Sequence, residues 1–128
     1  MKKSFSDSLI ALLAFFALLL AILLGWQSWN HARLKIEVAF AEEQTRIFEQ
    51  MRQQAIGDSA SGVAESLAYV VNYYPSGTKQ REGSRLDSVV ERMRSCAIRD
   101  IIAQLRQKTG EDLGEKPEAW IEKHANTK

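Results

Sequence analysis

The sequence predicts an all-α protein: an N-terminal transmembrane helix continues into a long stalk helix, and a small helical bundle of about three further helices follows. Residues 9–26 form an uncharged apolar run, and residues 27–56 contain neither proline nor glycine. Beyond residue 62, apolar residues recur at helical spacing. We therefore expect a short cytoplasmic tail at 1–8, an anchor at 9–29, a stalk at 30–56 and a helical domain at 57–128.

The apolar run at residues 9–26 has the length and composition of a membrane span. A helix rises about 1.5 Å per residue, so eighteen residues cover roughly 27 Å, close to the ~30 Å hydrocarbon core of a bilayer. A helix also satisfies its own backbone hydrogen bonds in lipid. Trp26 and Trp29 stand where the helix should meet the headgroups, a position that amphipathic rings favour. The lipid bilayer is thus a predicted partner.

Two other interpretations of this run are less favoured. A cleaved signal peptide would use the basic Lys2 and Lys3 and an A-x-A pattern at Ala39, Phe40 and Ala41. That pattern lies beyond a polar and charged stretch, whereas cleavage sites normally follow the apolar core closely. A buried helix of a soluble protein would need apolar neighbours on all sides, and the remaining sequence offers too few.

The charges that flank the run predict its orientation. Lys2 and Lys3 precede it, whereas Arg33 and Lys35 follow it. The positive-inside bias favours a cytoplasmic N-terminus by a small margin. We expect a single-pass protein with its N-terminus in the cytoplasm and its C-terminal domain outside, on the periplasmic side in a bacterium.

The predicted stalk carries an apolar stripe on one side. The stripe is typical of a helix that packs on its own domain, and its members are Phe40, Ile47, Phe48, Met51 and Ala55. A heptad repeat of Leu34, Ala41, Phe48 and Ala55 leaves a coiled-coil homodimer open. With these residues at the a positions of the heptad, the d positions would be Glu37, Gln44 and Met51, which suit a coiled coil poorly.

Three further helices are predicted after a turn at residues 57–62. The second helix covers residues 63–74, and a polar loop follows at 75–83. Ser84 caps the third helix, with Asp87 as its capping-box partner, and the helix extends to about Lys108 before Gly110. Its expected core face contains Leu86, Val89, Val90, Met93, Ala97, Ile101 and Leu105, widened by Ile98 and Ile102. A short helix at 117–125 should fold Trp120 and Ile121 onto the third helix.

Residues 97–121, AIRDIIAQLRQKTGEDLGEKPEAWI, resemble the closing unit of bacterial HEAT-like helical repeat proteins. The matching pattern consists of Leu105, Arg106, Thr109, Gly110, Asp112, Leu113, Gly114, Pro117 and Trp120. Lys116 departs from it, because an Asp N-cap is usual there. The resemblance implies a HEAT-like domain that acts as a scaffold or binding surface, and it implies no activity. The stretch YVVNYYPSGTKQ is similar to small membrane-anchored bacterial proteins of unknown role.

Arginines recur every seven residues along the third helix and should form one row. The row contains Arg85, Arg92, Arg99 and Arg106, with Arg81 just upstream in the loop. It is a candidate contact for lipid headgroups, an acidic partner or a polyanion. Because it lies opposite the expected core face, a plain solvated surface is the favoured interpretation. We expect no nucleic-acid partner, since more basic charge and interleaved aromatic residues would be typical.

Cys96 is the only cysteine, so an internal disulfide is excluded. It lies between the arginine row and the apolar face, and cationic neighbours would favour a reactive thiol or an intermolecular disulfide. A free cysteine is more often a small buried hydrophobe, and we favour that interpretation.

The sequence contains none of the common catalytic motifs. It has no Ser-His-Asp arrangement, no HExxH or CxxC motif and no glycine-rich phosphate loop. We therefore expect a non-enzyme without catalytic residues, metal ligands or cofactors. The favoured function is a membrane-anchored interaction or scaffold module with a protein partner. The alternative is a ligand-sensing or regulatory domain, with a pocket between the second and third helices near Tyr69, Tyr73 and Lys79.

Overall fold

The computed structural model describes residues 2–125, and the side chains of residues 5–125. Four helices follow one another: α1 (Lys2–Gly57), α2 (Ala60–Asn72), α3 (Arg85–Thr109) and α4 (Pro117–His124). No strand occurs within this described range. The predicted class is confirmed, since a long N-terminal helix precedes a small bundle of three further helices.

The chain divides into two compact units, Met1–Ile36 and Glu37–Lys128. In the first unit the apolar run is exposed along its length, from 41% at Leu19 to 69% at Trp26. Phe15 and Phe16 meet edge to face, with ring centroids 6.2 Å apart. By length and composition α1 is a candidate membrane span.

The second unit, which we call the helical unit, has its own hydrophobic core. All four helices contribute buried residues: Ala41, Phe48 and Ala55 from α1, Val63, Ala64, Leu67 and Val70 from α2, Val90, Ala97, Ile101, Ile102 and Leu105 from α3, and Trp120 from α4. Phe48 and Ala55 of the predicted stripe are therefore part of this core, and Met51 packs against it. For that reason the compact unit begins at Glu37, whereas the sequence placed the domain boundary at residue 57.

The helix ends follow local capping chemistry. Ser59 Oγ accepts a hydrogen bond from the Gly62 N–H at 3.3 Å, so α2 begins three residues earlier than predicted. Ser84 caps α3 as expected, accepting from the Asp87 N–H at 3.1 Å. At the other end, Gly110 has a φ of 71° and closes α3 in the left-handed conformation. No side-chain cap bond forms at Lys116, which departs from the expected Asp.

The predicted core face of α3 is wrong at two positions. Val89 is 48% exposed and Met93 is 37% exposed, although their apolar character placed them inside. Asp87 and Arg94 are buried instead. Both polar residues lie on the same side of α3 as Val90. That side faces α2 and the loop that follows it, and Asp87 and Arg94 are therefore buried.

Candidate functional site

Arg94 lies buried between α3 and the end of α2, with 6% of its surface exposed. Its Nη1 donates to the Val70 carbonyl oxygen at 2.6 Å, and its Nη2 donates to the Tyr74 carbonyl oxygen at 2.5 Å. The last carbonyls of a helix have no intrahelical partner, so the guanidinium supplies one. The Phe48 ring lies 5.0 Å from the guanidinium carbon, and Glu91 Oε1 accepts from Nε at 3.2 Å. Arg94 therefore fastens α2 to α3.

Asp87 closes the loop between α2 and α3. Its carboxylate accepts hydrogen bonds from Ser76 Oγ at 2.6 Å, the Gly83 N–H at 3.0 Å and the Gly77 N–H at 3.3 Å. Burial alone raises the pKa of Asp87, but these bonds and the charge of Arg94 outweigh it and hold the pKa below its usual value. The carboxylate reaches Gly83, one residue before the expected capping-box partner.

A buried pair of glutamines joins the same loop to α1. Gln80 Nε2 donates to Gln44 Oε1 at 2.8 Å and also approaches the Glu37 carbonyl oxygen at 3.4 Å. Gln44 Nε2 in turn donates to the Tyr74 carbonyl oxygen at 3.4 Å. Tyr74 has a φ of 41°, a left-handed conformation that non-glycine residues rarely adopt. Donors from Gln44 and Arg94 hold this residue in place.

The turn before α4 is held by Arg106. Arg106 Nε donates to Asp112 Oδ1 at 3.0 Å, and Nη2 donates to Glu115 Oε1 at 2.7 Å. Nη2 also reaches the Gly114 carbonyl oxygen at 3.2 Å, which accepts from Trp120 Nε1 at 2.8 Å. Trp120 is fully buried. Residues of the pattern that resembles HEAT-like closing units are therefore bonded to one another.

Glu111 holds the other end of α4. It accepts from Lys123 Nζ at 2.7 Å, and its second oxygen lies 3.1 Å from His124 Nε2. The bond from Lys123, together with His124, keeps the pKa of Glu111 below its usual value despite some desolvation. The His124 ring stacks on Trp120 with centroids 6.0 Å apart.

The structure divides the predicted arginine row. Arg85, Arg92 and Arg99 are exposed on α3. Arg106 instead forms ion pairs with Asp112 and Glu115 in the turn before α4. Arg81 is exposed in the loop. Within residues 5–125, neither Arg92 nor Arg99 forms an ion pair. The four arginines of α3 therefore do not form one continuous cationic surface, because Arg106 is paired with Asp112 and Glu115.

A shallow depression of about 630 Å³ lies between α3 and the start of α4. Arg92 and Arg99 line it, whereas Arg85 and Arg81 do not. Its complete lining is Glu91, Arg92, Ser95, Ile98, Arg99, Glu115 and Pro117. We call this feature the α3–α4 groove.

Cys96 is half-buried beside the arginine row. Arg99 Nη2 lies 3.3 Å from its Sγ, so one cationic neighbour is in contact with the thiol. Reactivity of this thiol and an intermolecular disulfide stay predictions.

Tyr69 and Tyr73 stack on each other, with ring centroids 5.2 Å apart. Tyr73 also meets Phe48 of α1 edge to face at 6.4 Å. Burial, followed by the nearby Glu43, raises the pKa of the Tyr73 hydroxyl. The pair therefore borders the core on the α1 side, with Tyr69 the more exposed ring.

Lys79 lies between two aromatic rings. Its Nζ is 4.2 Å from the centroid of Phe40 and 4.3 Å from that of Tyr74, within cation–π distance of both. Phe40 belongs to α1. The ligand-sensing alternative placed Lys79 and the two tyrosines at a pocket between α2 and α3. Their ring contacts are made with Phe40 and Phe48 of α1, with Tyr74 and with each other.

Trp26 and Trp29, the predicted membrane-interface residues, are 69% and 71% exposed in the first unit. Their position suits rings that contact headgroups, and that role stays a prediction.

Sequence reasoning missed Asp87 and Arg94 as core residues and Gln80 as a link to α1. A signal was present for the first two. They fall at helical spacing with Val90 and Ala97, so they occupy core positions of an amphipathic helix. A charged residue at such a position needs a buried partner.

Among the residues that the structure describes, no group of three or more His, Cys, Asp and Glu side chains is placed to hold a metal ion. No protein-family model matches the sequence, and no curated protein or solved structure is found to be similar to it.

Proposed function

We propose that the protein is a single-pass membrane-anchored scaffold whose helical unit contacts another protein. The observation that carries this proposal is the apolar run of α1, whose large side chains are 41–69% exposed over residues 9–26. Soluble proteins rarely leave a continuous apolar surface of this size exposed to water, and such a surface is typical of a membrane or protein contact. Lipid can cover it on all sides and also suits its length.

The proposed orientation has the N-terminus in the cytoplasm and the helical unit outside, on the periplasmic side in a bacterium. Lys2 and Lys3 support this orientation through the positive-inside bias, which the opposing Arg33 and Lys35 reduce.

The scaffold role is supported by the difference between charged residues that bond within the helical unit and charged residues that stay exposed on its surface. Arg94, Asp87 and Arg106 serve internal contacts, whereas Arg92 and Arg99 face a groove. We further propose that residues 97–121 form a HEAT-like closing unit. The buried Trp120 and its bond to the Gly114 carbonyl oxygen support this, because such a unit must close a helical core.

The anchor is tested by alkaline carbonate extraction of membranes, together with C-terminal fusions to two reporters. One reporter is active only outside the cytoplasm and the other only inside. We expect the chain to resist extraction and the outside reporter alone to be active. Release by carbonate, or a mature chain that starts after Ala41, would contradict the anchor. Activity of the inside reporter would reverse the orientation.

A matched pair of variants sharpens this test. Leu18→Arg with Leu19→Arg places two charges at mid-span, each costing about 2.5–3.5 kcal/mol of insertion free energy. We expect this variant to be extracted by carbonate. Leu18→Ala with Leu19→Ala keeps the run uncharged and should remain in the membrane. Equal behaviour of the two variants would mean that the run does not lie in lipid.

A further inference from the structure

The connection between α2 and α3 carries cationic side chains next to an aromatic ring. Arg81 and Arg85 are exposed. Lys79 is half-buried, and its Nζ lies 4.3 Å from the ring centroid of Tyr74, which is itself 40% exposed. We call residues 74–85 the basic segment. Cations beside an amphipathic aromatic ring are typical of a surface that contacts lipid headgroups.

The basic segment has an excess of positive charge. It contains three basic residues, and Glu82 is the only acidic residue within residues 66–86. Asp87, the next acid along the chain, is 4% exposed, and its carboxylate accepts three hydrogen bonds from hydroxyl and amide groups of the loop. Within residues 5–125, neither exposed arginine of the segment forms an ion pair. The exposed charges of the segment therefore favour an anionic ligand.

The basic segment is bonded to a part of α1 that follows closely after the candidate membrane span. Gln80 Nε2 approaches the Glu37 carbonyl oxygen at 3.4 Å, and Lys79 Nζ lies 4.2 Å from the ring centroid of Phe40. Glu37 follows Trp29, a predicted headgroup contact, by eight residues. A chain of that length extends over at most about 29 Å. The chain itself therefore keeps the segment near the headgroups of any bilayer that contains the apolar run.

We infer that the basic segment binds anionic phospholipid headgroups of the bilayer that holds the apolar run, an inference that rests on the membrane anchor proposed above. Arg81 and Arg85 donate hydrogen bonds to headgroup phosphates, a strong charge-assisted contact. The Tyr74 ring lies at the headgroup level beside Lys79, where tyrosine is favoured. The contact gives the helical unit a second attachment to the bilayer in addition to its anchor.

The short connection to the apolar run favours lipid over an acidic protein as the ligand. A site that is tethered close to its ligand meets that ligand at a high effective concentration. An acidic protein in solution would have to displace headgroups that are present at all times. The contact should depend on the anionic lipid content of the bilayer, because a neutral bilayer does not attract basic side chains in this way.

The test uses the full chain reconstituted in vesicles of phosphatidylcholine, with or without phosphatidylglycerol. A fluorophore on the thiol introduced by Thr78→Cys, in a Cys96→Ser background, reports contact through quenching by a lipid with a nitroxide on its headgroup. Thr78 is an exposed residue of the segment. The control label uses Gln107→Cys, an exposed position near the other end of α3. Both leaflets have the same composition, so the result does not depend on the orientation of insertion.

We expect phosphatidylglycerol to increase quenching at position 78 but not at position 107. Each basic residue at an anionic surface contributes about fivefold to the contact equilibrium, so R81A/R85A should lower that equilibrium about 25-fold. Quenching at position 78 should then return to the level found in phosphatidylcholine. The control R92A/R99A removes the same charge from exposed positions further along α3, and it should change the equilibrium by less than about twofold.

A variant that removes the acid of the segment should have the opposite effect. Glu82→Gln should raise the contact equilibrium by up to about fivefold, because it removes repulsion between a carboxylate and the headgroups. Circular dichroism verifies that each variant is folded. Equal quenching at position 78 in the two kinds of vesicle would overturn the inference and would favour a protein partner for the segment. Equal losses in R81A/R85A and R92A/R99A would also overturn it, since the segment would then have no special role.

Flotation of the same vesicles in a density gradient separates this inference from the anchor. A native chain that does not float with phosphatidylcholine vesicles would contradict the anchor, and the inference would fail with it. A chain that floats with them but shows no effect of phosphatidylglycerol at position 78 would retain the anchor and overturn the inference alone.

Discussion

Arg94 Nη1 donates to the carbonyl oxygen of Val70 at 2.6 Å, and through this bond a side chain of α3 completes the hydrogen bonding of α2. The same guanidinium reaches the carbonyl oxygen of Tyr74. One cation thus replaces the water that would otherwise solvate the end of α2.

Replacing Arg94 should therefore destabilise the helical unit strongly. We expect Arg94→Ala to lower the free energy of unfolding by about 3 kcal/mol, because buried carbonyl oxygens lose their donors and a cavity remains. Urea unfolding of the full chain in detergent, followed by circular dichroism, measures the change. Arg92→Ala, on the exposed side of the same helix, should stay within about 0.5 kcal/mol of the native chain. Similar losses in both variants would show that Arg94 has no special role.

Asp87 should make stability depend on acid. Its pKa is lowered in the folded state, so its contribution is present above the unfolded pKa and is lost as pH falls through the folded pKa. Asp87→Asn should reduce stability at neutral pH by about 1–2 kcal/mol and flatten the loss of stability on the acid side of the ordinary Asp pKa of about 4. Unfolding measured from neutral pH into this acid range gives the two profiles. Asp58→Asn, in the exposed connection before α2, is the control and should keep the native profile. An unchanged slope in Asp87→Asn would refute this assignment.

Gly110 and Gly57 should differ in how alanine at each position changes the free energy of unfolding. Gly110 has a φ of 71° and no atom within 4 Å of an added Cβ, so only backbone strain opposes the substitution. Gly110→Ala should cost about 1 kcal/mol, and Gly110→Asn should cost less. Gly57 also has open space around it but lies within α1 without a positive φ. Gly57→Ala should be neutral or stabilise by up to about 1 kcal/mol. Thermal unfolding compares the three variants, and destabilisation by Gly57→Ala would contradict the argument.

The buried pair Gln44 and Gln80 should behave non-additively. Gln80→Leu alone leaves Gln44 Oε1 without its donor and should cost about 1–3 kcal/mol. Adding Gln44→Leu removes the unsatisfied group, so the double variant should recover part of that loss. A double-mutant cycle from urea unfolding measures the coupling. Strictly additive losses would mean that the hydrogen bond at 2.8 Å contributes little.

The helices were predictable because their signals are local. Ser84 and Gly110 mark the ends of α3 by side-chain and backbone chemistry within one turn. The apolar run and the absence of proline and glycine after it indicate a long α1 by themselves. These features depend on neighbours along the chain, which the sequence displays directly.

The environment of α3 was not predictable in the same way. Val89 is apolar but faces outward, and Arg94 is charged but lies inside. The burial of Arg94 depends on the carbonyl oxygens of Val70 and Tyr74, which are distant in sequence. Arg106 shares the spacing of Arg92 and Arg99, yet its bonds to Asp112 and Glu115 separate it from them. Only the arrangement of the helices reveals these differences.

The burial of Trp120 has a consequence for the order of events during synthesis. The core of the helical unit is incomplete until this residue has left the ribosome, because α1, α2 and α3 all contribute to the core that it joins. Translation from Trp26 to Trp120 takes roughly 5–20 s at bacterial and eukaryotic elongation rates. If the apolar run enters the bilayer as it emerges, the helical unit folds while already tethered. The faces of α2 and α3 then stay uncovered beside the membrane until Trp120 arrives.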